Sequence, residues 1–244
     1  MHLRSRSRRL VGSALVASTL FAGAAVAPSP AGAATDANKT YVRALYGDLL
    51  DRPSATGNDA GVTFWANKLE TQTKGQVARG IQRGSTEYYG NVVDIYYQLF
   101  LDRSADPNGR SFYIAKWRAR ASTIETIVAN LAGSAEYFDL SGDTNAGFVD
   151  KVYFDVLGRE ATTGEKSAGI AALATQTRGK FAQLLAQGSE AHGAHVDAAY
   201  MGFLGRSAGA SERSYWVGQL NGGLRSEDFD ASLVSSSEYY DRNS

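Results

Sequence analysis

The sequence contains no cysteine. That excludes a disulfide framework and a lipid-anchored cysteine, so packing alone must hold the fold. A second long apolar run is also missing: beyond residue 33 no stretch is long enough to span a bilayer. Nor is there an excess of basic charge, since lysine plus arginine and aspartate plus glutamate each number 25. Four of the arginines, Arg4, Arg6, Arg8 and Arg9, precede an apolar run from Leu10 to Val26, and Ala31-Gly32-Ala33 follows it. Charged, apolar and small-residue segments in that order make a secretory signal peptide. Residues 1–33 are therefore predicted as a leader cut before Ala34, and the mature chain as secreted, extracellular or held at the cell surface. It would keep 21 basic against 25 acidic residues, a formal charge of −4. A nucleic-acid or anionic-membrane binder needs a basic footprint, so neither partner is expected, and no membrane span remains after cleavage.

What the sequence does have is repetition. Counted back from Arg52, Arg103, Arg159 and Arg206, four copies carry Val at −10, Tyr at −6, an apolar residue at −3 and Leu at −2. Offsets of 0, 4, 7 and 8 share one face of an α-helix, so each copy opens on an amphipathic helix ending at a Leu-Asp-Arg or Leu-Gly-Arg turn. A second helix follows, bearing Trp65, Tyr113 with Trp117, or Trp216; the third copy has Gly169 at that position. A third helix then leads to a Ser-x-Glu close carrying Glu87, Glu136 or Glu238, and in the third copy to Gly188-Ser189-Glu190. Asp106-Pro107, Ser122-Thr123-Ile124-Glu125 and Thr162-Thr163-Gly164-Glu165 mark helix starts. Either Asn58 or Asp59 can cap the second helix of the first copy.

Such units cannot bury their apolar faces alone. The predicted fold is all-α, four tandem repeats of about three short helices each, packed as two pairs. Residues 34–40 read as a disordered lead-in, 41–138 as repeats 1 and 2, 139–147 as a linker and 148–244 as repeats 3 and 4.

The Tyr-x-x-Leu-Leu-Gly-Arg-type helix end, the turn into a Trp-bearing helix and the closing Ser-x-Glu-aromatic resemble the DUF4214 family of bacterial domains. The resemblance covers residues 41–240, and the third copy departs from it by losing its Trp and its closing aromatics. It implies an all-helical module of secreted or surface proteins, distantly similar to the linker domain of phycobilisomes, and it assigns no activity.

No catalytic, cofactor or metal site is predicted. Glu87, Glu136 and Glu238, with Asp51 or Asp102 as partners, could in principle serve glycoside hydrolysis. Residues present in every copy are better explained as shaping the copy. Asp102 to Gly109 looks like a calcium loop but has Pro107 where the EF-hand needs glycine. Asp143-Thr144-Asn145 is equally incomplete, and His192 and His195 lack a carboxylate constellation. The recurrent structural pairs are instead Arg52 with Glu87, Arg103 with Glu136, Arg159 with Glu190 and Arg206 with Glu238. Each is expected as a clasp within its copy, with the eroded third copy least tolerant of losing it. The tryptophans are expected in the core, and Tyr88, Tyr89, Tyr239 and Tyr240 half exposed toward a partner. The function expected is non-catalytic, a secreted or cell-surface module binding a protein or an envelope glycan. A secreted hydrolase of cell-wall or extracellular polysaccharide is the alternative.

Overall fold

A computed structural model describes residues 35–52 and 59–244. The leader predicted over 1–33, the cut before Ala34, and Asn58 lie outside the described residues. Within them every regular element is helical. The first copy supplies α1 (Asp36–Leu50), α2 (Ala60–Lys68) and α3 (Lys74–Gly84). The second supplies α4 (Thr86–Leu101), α5 (Pro107–Arg118), α6 (Ile124–Ala132) and α7 (Ala135–Leu140). The third follows with α8 (Asn145–Leu157), α9 (Thr163–Ala172) and α10 (Arg178–Ala186). Then come α11 (Ser189–Ala199), a π-helical turn at Tyr200–Leu204, α12 (Ala210–Asn221), α13 (Ser226–Val234) and α14 (Ser237–Arg242).

Side-chain caps start these short helices. Asp59 caps α2 by accepting from the Gly61 and Val62 amides, and Asp106 caps α5 with Pro107 at the first position. Thr162 and Glu165 form the expected capping box on α9. The start of α6 differs from expectation: Thr123, not Ser122, is the cap, accepting from the Thr126 amide. The disordered lead-in expected over 34–40 is corrected from Thr35 onward. Thr35 accepts from the Asn38 amide and opens α1 at Asp36, so the polar composition there reflects a cap rather than disorder.

The chain forms two compact units, and they divide it otherwise than the expected split into 41–138 and 148–244. One unit holds the described residues to Tyr88, together with Val196–Trp216 and Glu227–Ser244. The other holds Tyr89–His195 with Val217–Ser226. The first copy is thus joined by most of the fourth, and the second by the third. The physical reason is a lock used once in each unit. Tyr137, at the close of the second copy, packs edge-on against Phe148 and donates to Asp155 at 2.8 Å, both in α8. Tyr239, at the close of the fourth, packs edge-on against Tyr41 and donates to Asp48 at 2.6 Å, both in α1. The predicted linker 139–147 therefore lies inside a unit: α7 runs to Leu140, Thr144 caps α8, and a short turn joins them.

Third helices pack inside each unit as well. In one, Gln82 of α3 donates to the Glu227 carbonyl and Arg83 pairs with Asp228 at 2.8 Å. In the other, α6 and α10 approach so closely that a Cβ on Gly179 would stand 2.5 Å from the Ala129 carbonyl oxygen.

Candidate functional site

Each first helix ends with the residue before the arginine in the left-handed region, Asp51, Asp102, Gly158 or Gly205. That turn throws the arginine side chain back over the tyrosine six residues earlier. The guanidinium carbon stands 5.1 to 5.8 Å from the ring centre in all four copies. Each glutamate lies in the first turn of the following helix, not at the end of the third helix as the spacing suggested. In three copies a serine holds that turn: Ser134 and Ser236 cap α7 and α14, and Ser85 accepts from the Glu87 amide, while the third copy has Gly188 there. An arginine beyond one helix C-terminus and a glutamate at another N-terminus also suit the two helix dipoles.

The structure brings all four pairs together, each through two parallel bonds. Nε and Nη2 of Arg52, Arg103, Arg159 and Arg206 meet the two carboxylate oxygens of Glu87, Glu136, Glu190 and Glu238 at 2.5 to 2.8 Å. Arg103 and Arg159 donate in addition to the carbonyl of the next residue.

Two further carboxylates were not singled out from the sequence as partners of these arginines. Glu165 reaches Arg159 at 2.7 and 2.9 Å, and Glu212 reaches Arg206 at 2.8 and 2.9 Å. Both stand six residues past the arginine at the third position of the next helix, a spacing that could have revealed them. In the third and fourth copies one guanidinium therefore holds two carboxylates. The hydrogen bonds from arginine hold Glu136, Glu190 and Glu212 below the usual carboxylate range and take Glu165 to about 2. A general acid needs the opposite shift.

The remaining candidates resolve into structure. Asp106 spends its carboxylate on the Asn108 and Gly109 amides. Asp143 is a left-handed turn residue and Thr144 a cap. His192 is buried, with Nδ1 2.7 Å from the Asn221 side-chain oxygen. Among the described residues no three His, Asp or Glu side chains gather as a metal site requires.

The aromatic expectations divide. Trp117 is fully buried, whereas Trp65 and Trp216 are half-buried. Three of the closing tyrosines are corrected: Tyr88, Tyr89 and Tyr239 are buried, while Tyr240 is half-buried. Their rings fill the units, Tyr89 against Trp117 and Tyr240 against Tyr41, and the Tyr88 hydroxyl lies 3.4 Å from Asp230. Apart from Phe154 in α8, which is 58% exposed, the exposed rings are the residues just before the second-helix aromatic. Phe64, Phe112 and Tyr215 are 51, 53 and 58% exposed, and the third copy has Ala168 there. Each stands edge-on to its neighbour, Trp65, Tyr113 or Trp216. Lys68 and Lys116 lie over Phe64 and Phe112, 5.3 and 5.6 Å from the ring centres.

One cavity of about 200 Å³ opens beside the first clasp, lined by Tyr46, Arg52, Trp65, Ser85 and Glu87 among others. Compared with known proteins, the chain matches no family model, no curated protein and no solved structure.

Proposed function

We propose that this chain is a non-catalytic interaction module, secreted or displayed at the cell surface, that binds a protein or an envelope glycan. The observation that carries this reading is the solvent-facing ring at one register of the second helix, Phe64, Phe112 and Tyr215. A large apolar side chain left outside the core once is ordinary; the same position left outside three times points to a contact made with something else. The recurring carboxylates favour this reading over the hydrolase. Each is held by the arginine of its own copy, and the shifts resolved among them run away from proton donation. The tandem-repeat reading and the resemblance to DUF4214 belong to the same proposal and rest on the residues of the four copies. Secretion rests on Arg4 to Ala33, and sequencing the protein recovered from culture medium should find Ala34 first.

The binding test uses isolated envelope fractions as the capture surface. The full chain should be retained, and the triple variant Phe64→Ala, Phe112→Ala, Tyr215→Ala should wash through. Its thermal midpoint should stay within a few degrees, because these rings lie outside the core. Equal retention of the two proteins would remove the observation on which the proposal stands.

A further inference from the structure

The four clasps provide an internal comparison at the cavity of the first copy. In the fourth copy Tyr200, Trp216, Arg206 and Glu238 surround a fifth group, the Glu212 carboxylate, which bonds Nη1 and Nη2 of Arg206 and the Gly209 amide. Trp216 donates to the Tyr200 hydroxyl at 3.0 Å. The first copy has the same four groups, Tyr46, Trp65, Arg52 and Glu87. Its fifth group is missing. The position that Glu212 holds on α12, four residues before the second-helix aromatic, is Gly61 on α2, where a Cβ would lie 2.5 Å from the Tyr46 hydroxyl oxygen. Among the described residues the Arg52 guanidinium hydrogen-bonds Glu87 alone, and those four side chains line a cavity of about 200 Å³.

We propose that this cavity binds one neutral sugar ring of an envelope or extracellular polysaccharide, against Trp65 and between Arg52 and Glu87. The proposal rests on the interaction-module reading above and names its ligand class. Three properties of the lining select the chemistry. The volume is below the range of drug-sized pockets, about 300 to 1,000 Å³, and suits a single ring. Two aromatic side chains, Trp65 and Tyr46, line the cavity, and an aromatic ring takes the C–H face of a pyranose. The open edge of the clasp offers both hydrogen-bond roles that hydroxyl groups use: guanidinium N–H donors and carboxylate acceptors. Arg52 is 49% and Glu87 29% exposed, so both can be reached without breaking the fold.

Charge rules out the acidic sugars. Among the described residues Arg52 is the one cation lining the cavity, and Glu87 lines it too, while Asp59 acts on Arg52 electrostatically. A ligand carboxylate would be a third anion against one cation. A neutral ring adds hydroxyl contacts without that repulsion.

Gly84 gives a variant that separates binding from folding. It lines the cavity at the end of α3, and a Cβ there would meet no atom within 4 Å. Gly84→Leu should place a side chain in the sugar's space while leaving α3 as stable as before or more so. The measurement is the indole N–H resonance of Trp65 in the full chain, titrated with neutral hexoses and N-acetylhexosamines and, separately, with glucuronate. The expected result is a saturable shift of Trp65 with a neutral sugar, little or none with glucuronate, and at least a tenfold weaker response in Gly84→Leu at an unchanged or higher thermal midpoint. Trp117 and Trp216 should not move. No shift at saturating neutral sugar would overturn the site, as would an equal shift in Gly84→Leu or a stronger response to glucuronate. Failure here with continued retention on envelope fractions would dismiss the cavity and leave the interaction reading intact. A Trp65 response without such retention would support the site and count against the envelope partner.

Discussion

In the second copy Arg103 and its Glu136 partner are each 42% exposed and meet as a single pair, whereas in the fourth Arg206 is 6% exposed and meets both Glu238 and Glu212. The two clasps share the same turn and the same two parallel bonds. They differ in what the third position of the following helix permits. In the second copy it is Gly109, and a Cβ there would lie 2.4 Å from the Tyr97 hydroxyl oxygen, so the tyrosine occupies the space a glutamate would need. In the fourth copy that space belongs to Glu212. One motif thus yields a solvated pair in one place and a desolvated triad in another. Burial, not the residue pair, decides what each contributes.

Removing the buried member should have the largest effect. Arg206→Ala leaves Glu238 and Glu212 facing each other without their shared cation and should cost about 3 to 5 kcal/mol. Arg103→Ala strands only a carboxylate that water can reach and should cost at most about 1 kcal/mol. Urea unfolding of both variants tests the contrast. So does a double-mutant cycle on Arg103 and Glu136, whose coupling should shrink in 1 M salt as screening predicts. Similar losses for the two arginines would end the argument from burial. Least tolerance was expected of the third copy because it is eroded, but Arg159 is 36% exposed, so burial moves that expectation to the fourth.

The two Tyr–Asp locks extend the comparison at smaller cost. Asp155 is 6% exposed in its side chain, also takes Lys151 at 2.9 Å, and is pushed above the usual carboxylate range chiefly by burial. Asp48 stands at a more exposed position, although desolvation raises it above the usual carboxylate range as well, with the Tyr239 bond and Arg242 acting against that. Tyr137→Phe removes a donor from a buried acid and should destabilise its unit by about 1 to 3 kcal/mol. Tyr239→Phe should cost about 1 kcal/mol or less, since water can replace the lost hydroxyl at Asp48. Equal thermal shifts in the two variants would show that the exposure of the acceptor is irrelevant.

These locks also mark where sequence reading reached and where it stopped. The clasps were legible because both members recur in every copy at nearly constant separation, and a helix end fixes where each arginine begins. The pairing of copies was not. Tyr239 and Asp48 lie 191 residues apart, and no periodicity states which neighbour a closing tyrosine will choose. A signal was nonetheless present: four residues before the arginine, the first and third copies have Asp48 and Asp155, whereas the second and fourth have Leu99 and Gly202. Only the copies with aspartate there receive a lock. Burial of Tyr88 and Tyr239 was hidden for a related reason, since a ring whose hydroxyl partner comes from elsewhere in the chain, Asp230 or Asp48, reads locally as amphipathic.

Acid should weaken the clasps in the order of their carboxylate shifts. Glu165 titrates near 2 when folded, against an ordinary value of 4.5, because Arg159 and then the Thr162 amide and hydroxyl bind its charged form. A lowered folded value means that its contribution is complete above about pH 4.5 and is lost as pH falls toward 2. Asp155 acts with the opposite sign: its raised value favours the fold in acid and disfavours it as pH climbs through the unfolded value. Thermal midpoints of the parent chain and Glu165→Gln, measured from pH 7 to 2, should differ most at neutral pH and converge at the acid end. High salt should reduce the difference, because the Arg159 pairs are solvated. A gap that widens on acidification would reverse the assignment.

The smallest expected effect lies next to the Arg103 clasp, in the segment from Asp102 to Gly109. If this were a calcium loop, Asp102 and Asp106 would both supply free oxygens. Instead Asp102 sits in a left-handed turn at the end of α4, where its backbone conformation sets the direction of Arg103. Asp106 has one carboxylate oxygen accepting from the Asn108 amide at 3.1 Å and the Gly109 amide at 2.9 Å. Those bonds, Gly109 first, hold it below the ordinary aspartate range without any cation. The helix start supplies the positive end that a metal would otherwise provide. EDTA should therefore leave the thermal midpoint of the full chain unchanged, and added calcium should not raise it. Asp106→Ser, which keeps a capping oxygen but removes the charge, should change the midpoint only slightly, since serine and aspartate cap about equally well. A drop of several degrees in EDTA that calcium restores, and that Asp106→Ser abolishes, would show that this turn binds metal after all.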